Sequence, residues 1–210
     1  MTRIFLSMVF AGILSSPVLA SSMVEIPAGS FIMGENSGSD QMLTLEAFFI
    51  DKYEVTNEEY SATVPGHSYP SGAGPHPVSD ITWSEALSFC EKNGKRLPTD
   101  VEWEKSARGV DGRVYPWGND LPRESPHPYF SGLVKRRVGL QKRDVSPYGV
   151  YGMAGSVWEW TLGENGEKKV GRGGLWNLHL DYEYSKTYDR LFVDAGQKFP
   201  FLGFRCARSK

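Results

Sequence analysis

Between Gly171 and Ser185 the chain reads GRGGLWNLHLDYEYS, which sets His179, Asp181 and Glu183 at alternate positions. One imidazole and two carboxylates can begin a metal site, but the second His or Cys that a transition metal usually takes is missing nearby. In an extended strand successive side chains point to opposite faces. Asn177, His179, Asp181, Glu183 and Ser185 would then share one face, while Leu178, Leu180, Tyr182 and Tyr184 share the other. That alternation is the pattern of a half-buried strand with one wet side. Trp176, Tyr182 and Tyr184 beside Asp181 and Glu183 also have the composition of a protein-binding hot spot, with burial in the core as the competing use of the aromatics. His67, His76 and His127 stand in Pro- and Gly-rich stretches with no partner at ligand spacing, so they read as surface residues.

These residues need a frame, and the start of the chain says where it is built. In MTRIFLSMVFAGILSSPVLASS, Arg3 precedes an apolar run from Ile4 to about Leu14, and the small residues Val18 and Ala20 stand three and one positions before a cleavage point. The run is too short to span a bilayer, which takes ~20 residues, and has the layout of a secretory signal peptide. Residues 1–20 are expected to be removed, leaving residues 21–210 as one domain in the periplasm or outside the cell. Nothing later is long and apolar enough to cross a membrane. Loss of Arg3 takes the formal charge from −2 to −3, so the chain has no overall basic excess to attract nucleic acid. Lys135, Arg136, Arg137, Lys142 and Arg143 form a local basic run that reads as a solvated loop rather than an anion site. The two cysteines, Cys90 and Cys206, enter an oxidising compartment, where they either pair or serve as reactive thiols.

Three Thr-x-x-Glu patterns, Thr56 with Glu59, Thr82 with Glu85 and Thr99 with Glu102, have the form of capping boxes and predict three helix starts. The second helix carries Trp83, Ala86, Leu87 and Cys90 and stops at Gly94; the third carries Val101, Trp103 and Ala107 and stops near Gly109. Both are expected to be short and amphipathic. Elsewhere short apolar runs such as SFIMG, FFIDKYEV and FLGFRCA alternate with turn residues, which favours brief strands. With 23 Gly and 13 Pro much of the backbone should be irregular, and Trp117, Trp158, Trp160 and Trp176 suggest that these loops are packed rather than loose.

The segments IPAGSFIMGE, FFIDKYEVTNEEY, HPVSDITWSEALSFC, GKRLPTDVEWEKSARG, YPWGND, SPYGVYGMAGSVWEWT, GRGGLWN and LGFRCAR occur in that order. Together they resemble the formylglycine-generating enzyme, or sulfatase-modifying factor, domain family from about Val24 to Arg208. The resemblance implies an α+β fold of the C-type-lectin-like kind, with short helices and strands and much ordered loop. It also implies an oxidase that converts a substrate cysteine to formylglycine with oxygen and copper held by two thiolates. Soft thiolates suit copper(I). In this chain the two matching positions hold Leu178 and Glu183, so no catalytic residue is assigned and no copper is expected. Cys90 and Cys206 instead match a pair that forms a structural disulfide in the family.

The stretch YGMAGSVWEWT matches a family calcium loop, with carbonyls of Gly155 and Val157 and the carboxylate of Glu159 as ligands. Gly152 stands where relatives often have Asn or Asp. A Glu159 that only holds its loop, flanked by two core tryptophans, is the other reading of the same residues. The function expected is that of an exported pseudoenzyme binding a protein partner in the cell envelope, such as an inhibitor or immunity protein. Its binding surface would comprise Trp176, His179, Asp181, Tyr182, Glu183 and Tyr184. The alternative is a periplasmic metal-dependent oxidoreductase acting on a peptide or an exported metabolite such as a siderophore precursor, with His179, Asp181 and Glu183 as the residues to suspect.

Overall fold

The structure, a computed structural model, describes residues 22–35, 41–120, 137–140, 142–174 and 185–210. The three helix starts lie where the Thr-x-x-Glu patterns place them. Helix α1 spans Asn57–Thr63, α2 Trp83–Lys92 and α3 Asp100–Arg108, and each is preceded by its Thr in extended backbone with both reciprocal capping bonds made. Each box satisfies two N–H groups that the first turn would otherwise leave bare. Asn93 caps α2 ahead of Gly94, and Gly109, at φ 74°, ends α3.

Strands β1 (Met23–Ile26), β4 (Phe48–Asp51) and β9 (Ala207–Ser209) form one antiparallel sheet, with β4 in the middle. A hairpin-like pair of β2 (Gly29–Met33) and β3 (Gln41–Leu45) stands apart from it. The third sheet has the order β7 (Leu191–Val193), β6 (Lys168–Gly173), β5 (Trp158–Asn165), β8 (Leu202–Gly203), and β8 joins β5 in parallel. Among the described residues no helix is long and apolar enough to cross a membrane.

One apolar cluster gathers α1, α2 and the third sheet around Tyr60, Phe89, Trp160, Leu202 and Phe204; a second packs Ile26, Phe48 and Ile50 against Trp103 and Met153. Cys90 and Cys206 are joined within the first cluster, so the pairing implied by the family resemblance is present. Two expectations change. Trp158 and Trp160 are strand residues of β5, not loop residues, and the Trp160 indole donates to the Ile81 carbonyl at 2.8 Å. Helix α3 is buried from Glu102 to Arg108 rather than amphipathic, because its charged residues find partners on every side.

Candidate functional site

Strand β6 leads directly into residues 175–184. Its Arg172 is fully buried and donates through Nη2 to Glu104 at 2.8 Å, through Nε to Asp100, and through Nη1 to the carbonyls of Thr187 at 3.4 Å and Asp189 at 3.3 Å. Arg190 returns to the same acids, at 3.1 Å from Asp100 and 3.5 Å from Glu104, and Arg108 meets Glu104 at 3.0 Å. The chain before residue 175 and the chain after residue 184 are thus both tied to α3. Buried charges are tolerated when they are paired and hydrogen-bonded, as these are. Burial pushes the Asp189 carboxyl up to about 6, against the pull of the Lys186 N–H and of the Lys186 and Arg172 charges. The residues singled out between these anchors, Trp176, Leu178, His179, Asp181, Tyr182, Glu183 and Tyr184, lie outside the described residues, as does His127. His67 is packed edge-on against Tyr60 and is 3.2 Å from the Asn57 Oδ1, a structural setting.

The loop expected to bind calcium leads into β5. Ser156 sits at φ 71°, a backbone region that non-glycine residues seldom adopt, and the Gly155 carbonyl accepts from the Val157 N–H at 2.9 Å. Glu159 is fully buried between Trp158 and Trp160. Its carboxylate faces Arg205, whose Nε and Nη2 donate at 2.6 Å and 2.7 Å, and the Trp103 indole adds a third bond at 2.8 Å. This fork-to-fork pairing is the strong form of a guanidinium–carboxylate contact. Arg205 also donates to main-chain carbonyls of Asp51 at 3.2 Å and Tyr151 at 2.9 Å, which locks β4 to the loop.

In this arrangement the carboxylate of the loop expected to bind calcium is held by Arg205 and Trp103. Both oxygens of Glu159 are taken, and a cation bound to it would stand beside a guanidinium. Two other carboxylates nearby are differently placed. Glu54 and Asp144 are buried, and neither oxygen of Glu54 nor Oδ1 of Asp144 has a hydrogen-bond partner among the described residues. Burial drives Glu54 up to about 8 and Asp144 up to about 7, with Arg205 pulling both down and Glu159 pushing both up. No local pattern marks this pair, because Glu54 sits in an apolar run and Asp144 in a polar one, 90 residues apart. Among the described residues no group of three or more His, Cys, Asp or Glu side chains is arranged to hold a metal ion.

Among the described residues, three short sheets, three brief helices and ordered connections between them make up a fold of the C-type-lectin-like class, and comparison with solved folds agrees. Treponema denticola variable protein 1 superimposes with a TM-score of 0.73 over 90% of this chain and 95% of that one, at 24% identity. The sulfatase-modifying factor enzyme 1-like domain model matches residues 10–210, and the chain belongs to that family. Formylglycine-generating enzyme of Mus musculus is 26% identical over 284 aligned residues, covering 91% of this chain and 76% of that protein. Inactive C-alpha-formylglycine-generating enzyme 2 of Bos taurus is 28% identical over 266, covering 89% and 87%.

Proposed function

We propose that this chain is an exported member of the family that has left the copper oxidase reaction and binds a protein partner in the cell envelope. The observation that carries the reading is the disulfide: the chain has two cysteines, and both are spent in the Cys90–Cys206 bridge inside the core. A copper(I) site built on two thiolates has no ligand left in this sequence. Relatives described as inactive formylglycine-generating enzymes show that the family includes members named for having lost the reaction. A scaffold that keeps its fold after losing its chemistry still presents loops on a rigid base, and such loops acquire new binding specificities. Arg172 and its acid partners make such a base of the chain on either side of residues 175–184.

The test uses the mature, disulfide-intact chain. Incubated with copper(I), oxygen and a cysteine-containing peptide, it should leave the peptide mass unchanged. Incubated with an envelope extract and cross-linked, it should give one discrete adduct, and Trp176→Ala or Tyr182→Ala should remove that adduct while leaving the circular dichroism spectrum intact. Conversion of the peptide cysteine to an aldehyde, or adduct formation indifferent to both substitutions, would count against the reading.

A further inference from the structure

Arg96 stands in the connection between α2 and α3, where its main chain and that of Ala207 exchange bonds at 2.9 Å and 2.7 Å. Its guanidinium is gripped end-on. Nη1 and Nη2 donate to the two oxygens of Glu102 at 2.7 Å and 2.6 Å, and Nη1 also donates to the Leu97 carbonyl at 3.1 Å. A guanidinium carries five N–H groups in a fixed plane, so these three bonds leave the Nε–H and one N–H of Nη2, which lie side by side as a second fork. Neither has an acceptor among the described residues. Glu102 is itself fixed by the Thr99 N–H at 2.8 Å, so the plane of the guanidinium is set before any ligand arrives.

The Arg96 side chain is 29% exposed and lines a cleft of about 470 Å³, a volume in the range that takes small molecules. Leu45, the last residue of β3, and Phe48, the first of β4, supply apolar lining. Between them Glu46 adds a carboxylate that is exposed and makes no ion pair among the described residues. Lys210 lines the cleft too, but its charge is matched by Glu25 at 2.6 Å. The cleft therefore offers one unspent cationic fork, one unspent carboxylate and an apolar surface.

A simple anion would be drawn to Arg96 and repelled by Glu46, and a simple cation would meet the reverse. A molecule with both charges meets each with its opposite. A planar carboxylate also matches the side-on fork, through two parallel N–H···O bonds. We infer that this cleft binds a small apolar zwitterion, an amino acid or a dipeptide, with its carboxylate on the Nε and Nη2 fork of Arg96, its ammonium toward Glu46 and its side chain against Leu45 and Phe48. The site goes beyond the binding of a protein partner and does not rest on it, since none of its residues falls within 175–184.

The experiment is calorimetric titration of the mature, disulfide-intact chain with leucine and with leucyl-leucine, each also blocked as the N-acetyl form and as the C-terminal amide. One equivalent of leucine or of the dipeptide should bind, and the tighter of the two tells which span the cleft accepts. Acetylation and amidation of that ligand should each weaken binding by about tenfold or more. Arg96→Lys keeps a charge beside Glu102 but has no fork, and Glu46→Gln removes the opposite charge; each should also weaken binding by about tenfold, with the circular dichroism spectrum unchanged. Should Arg96→Lys not fold, Glu46→Gln and the blocked ligands on wild type still decide. No binding of either leucine or leucyl-leucine, blocked ligands that bind as tightly as the free one, or a folded Glu46→Gln variant that binds as wild type does, would overturn the site.

Discussion

Arg205 makes more hydrogen bonds than any single contact could explain. Its guanidinium reaches the Glu159 carboxylate and the carbonyls of Asp51, Lys52, Tyr151 and Gly152, so one side chain closes β4, the residue 151–157 loop and β5 around itself. Burial alone would pull its pKa down, and the negative charges of Glu159, Glu54 and Asp51 more than offset that. Removing one member of such a pair strands the other in the core, at a cost of about 3–5 kcal/mol. Arg205→Met and Glu159→Gln should therefore each lower stability by about that much in denaturant unfolding. The double variant should lose less than the two single losses added together, because neither charge is left alone. Strict additivity would mean that the two side chains stabilise the fold separately.

At the scale of elements, the helix starts could be read from sequence because a capping box is a local device: Thr and Glu three residues apart meet in any chain that turns there. Glu159 stood out for the same reason, between two tryptophans. Its true partner did not, since Arg205 lies 46 residues further along and Trp103 56 residues back, distances at which sequence patterns carry no contact information. Helix α3 was misread because amphipathicity assumes that charged residues seek water. Here Glu102 bonds both to the helix start and to the Arg96 fork, at 2.6 Å and 2.7 Å. Burial works to raise the Glu102 carboxyl, yet the Arg96 and Thr99 donors outweigh it and hold the group below its ordinary 4.5. A carboxyl depressed in the fold adds stability that is fully present above the unfolded pKa and disappears as pH falls through the folded one. Arg96→Met should cost about 1–2 kcal/mol at pH 7 and progressively less as pH drops below 4.5. Urea unfolding of both proteins at pH 7 and pH 3 measures this, and an equal gap at both values would show that Arg96 stabilises by packing alone.

For the molecule as a whole, the Cys90–Cys206 bridge joins the end of α2 to the segment between β8 and β9, across a separation of 116 residues. The elements it links already touch: the Phe89 ring of α2 meets the Phe204 ring edge-on with centroids 5.3 Å apart, and just past α2 the Arg96 and Ala207 main chains exchange bonds at 2.9 Å and 2.7 Å. The bridge therefore adds little to the native contacts and acts mainly by shrinking the unfolded ensemble. For a loop of this length the chain-entropy model gives about 5 kcal/mol. Thiols kept for chemistry would behave differently, since their removal would leave stability nearly unchanged. A Cys90→Ala, Cys206→Ala double variant should unfold at a much lower guanidinium concentration than the oxidised protein, and the reduced wild type should approach the variant. The ratio of stability to midpoint should also change, because an unfolded chain freed of the cross-link exposes more surface to denaturant. Coincident curves for oxidised and reduced protein would remove the structural role from the bridge, and with it the ground for treating both cysteines as unavailable to a metal.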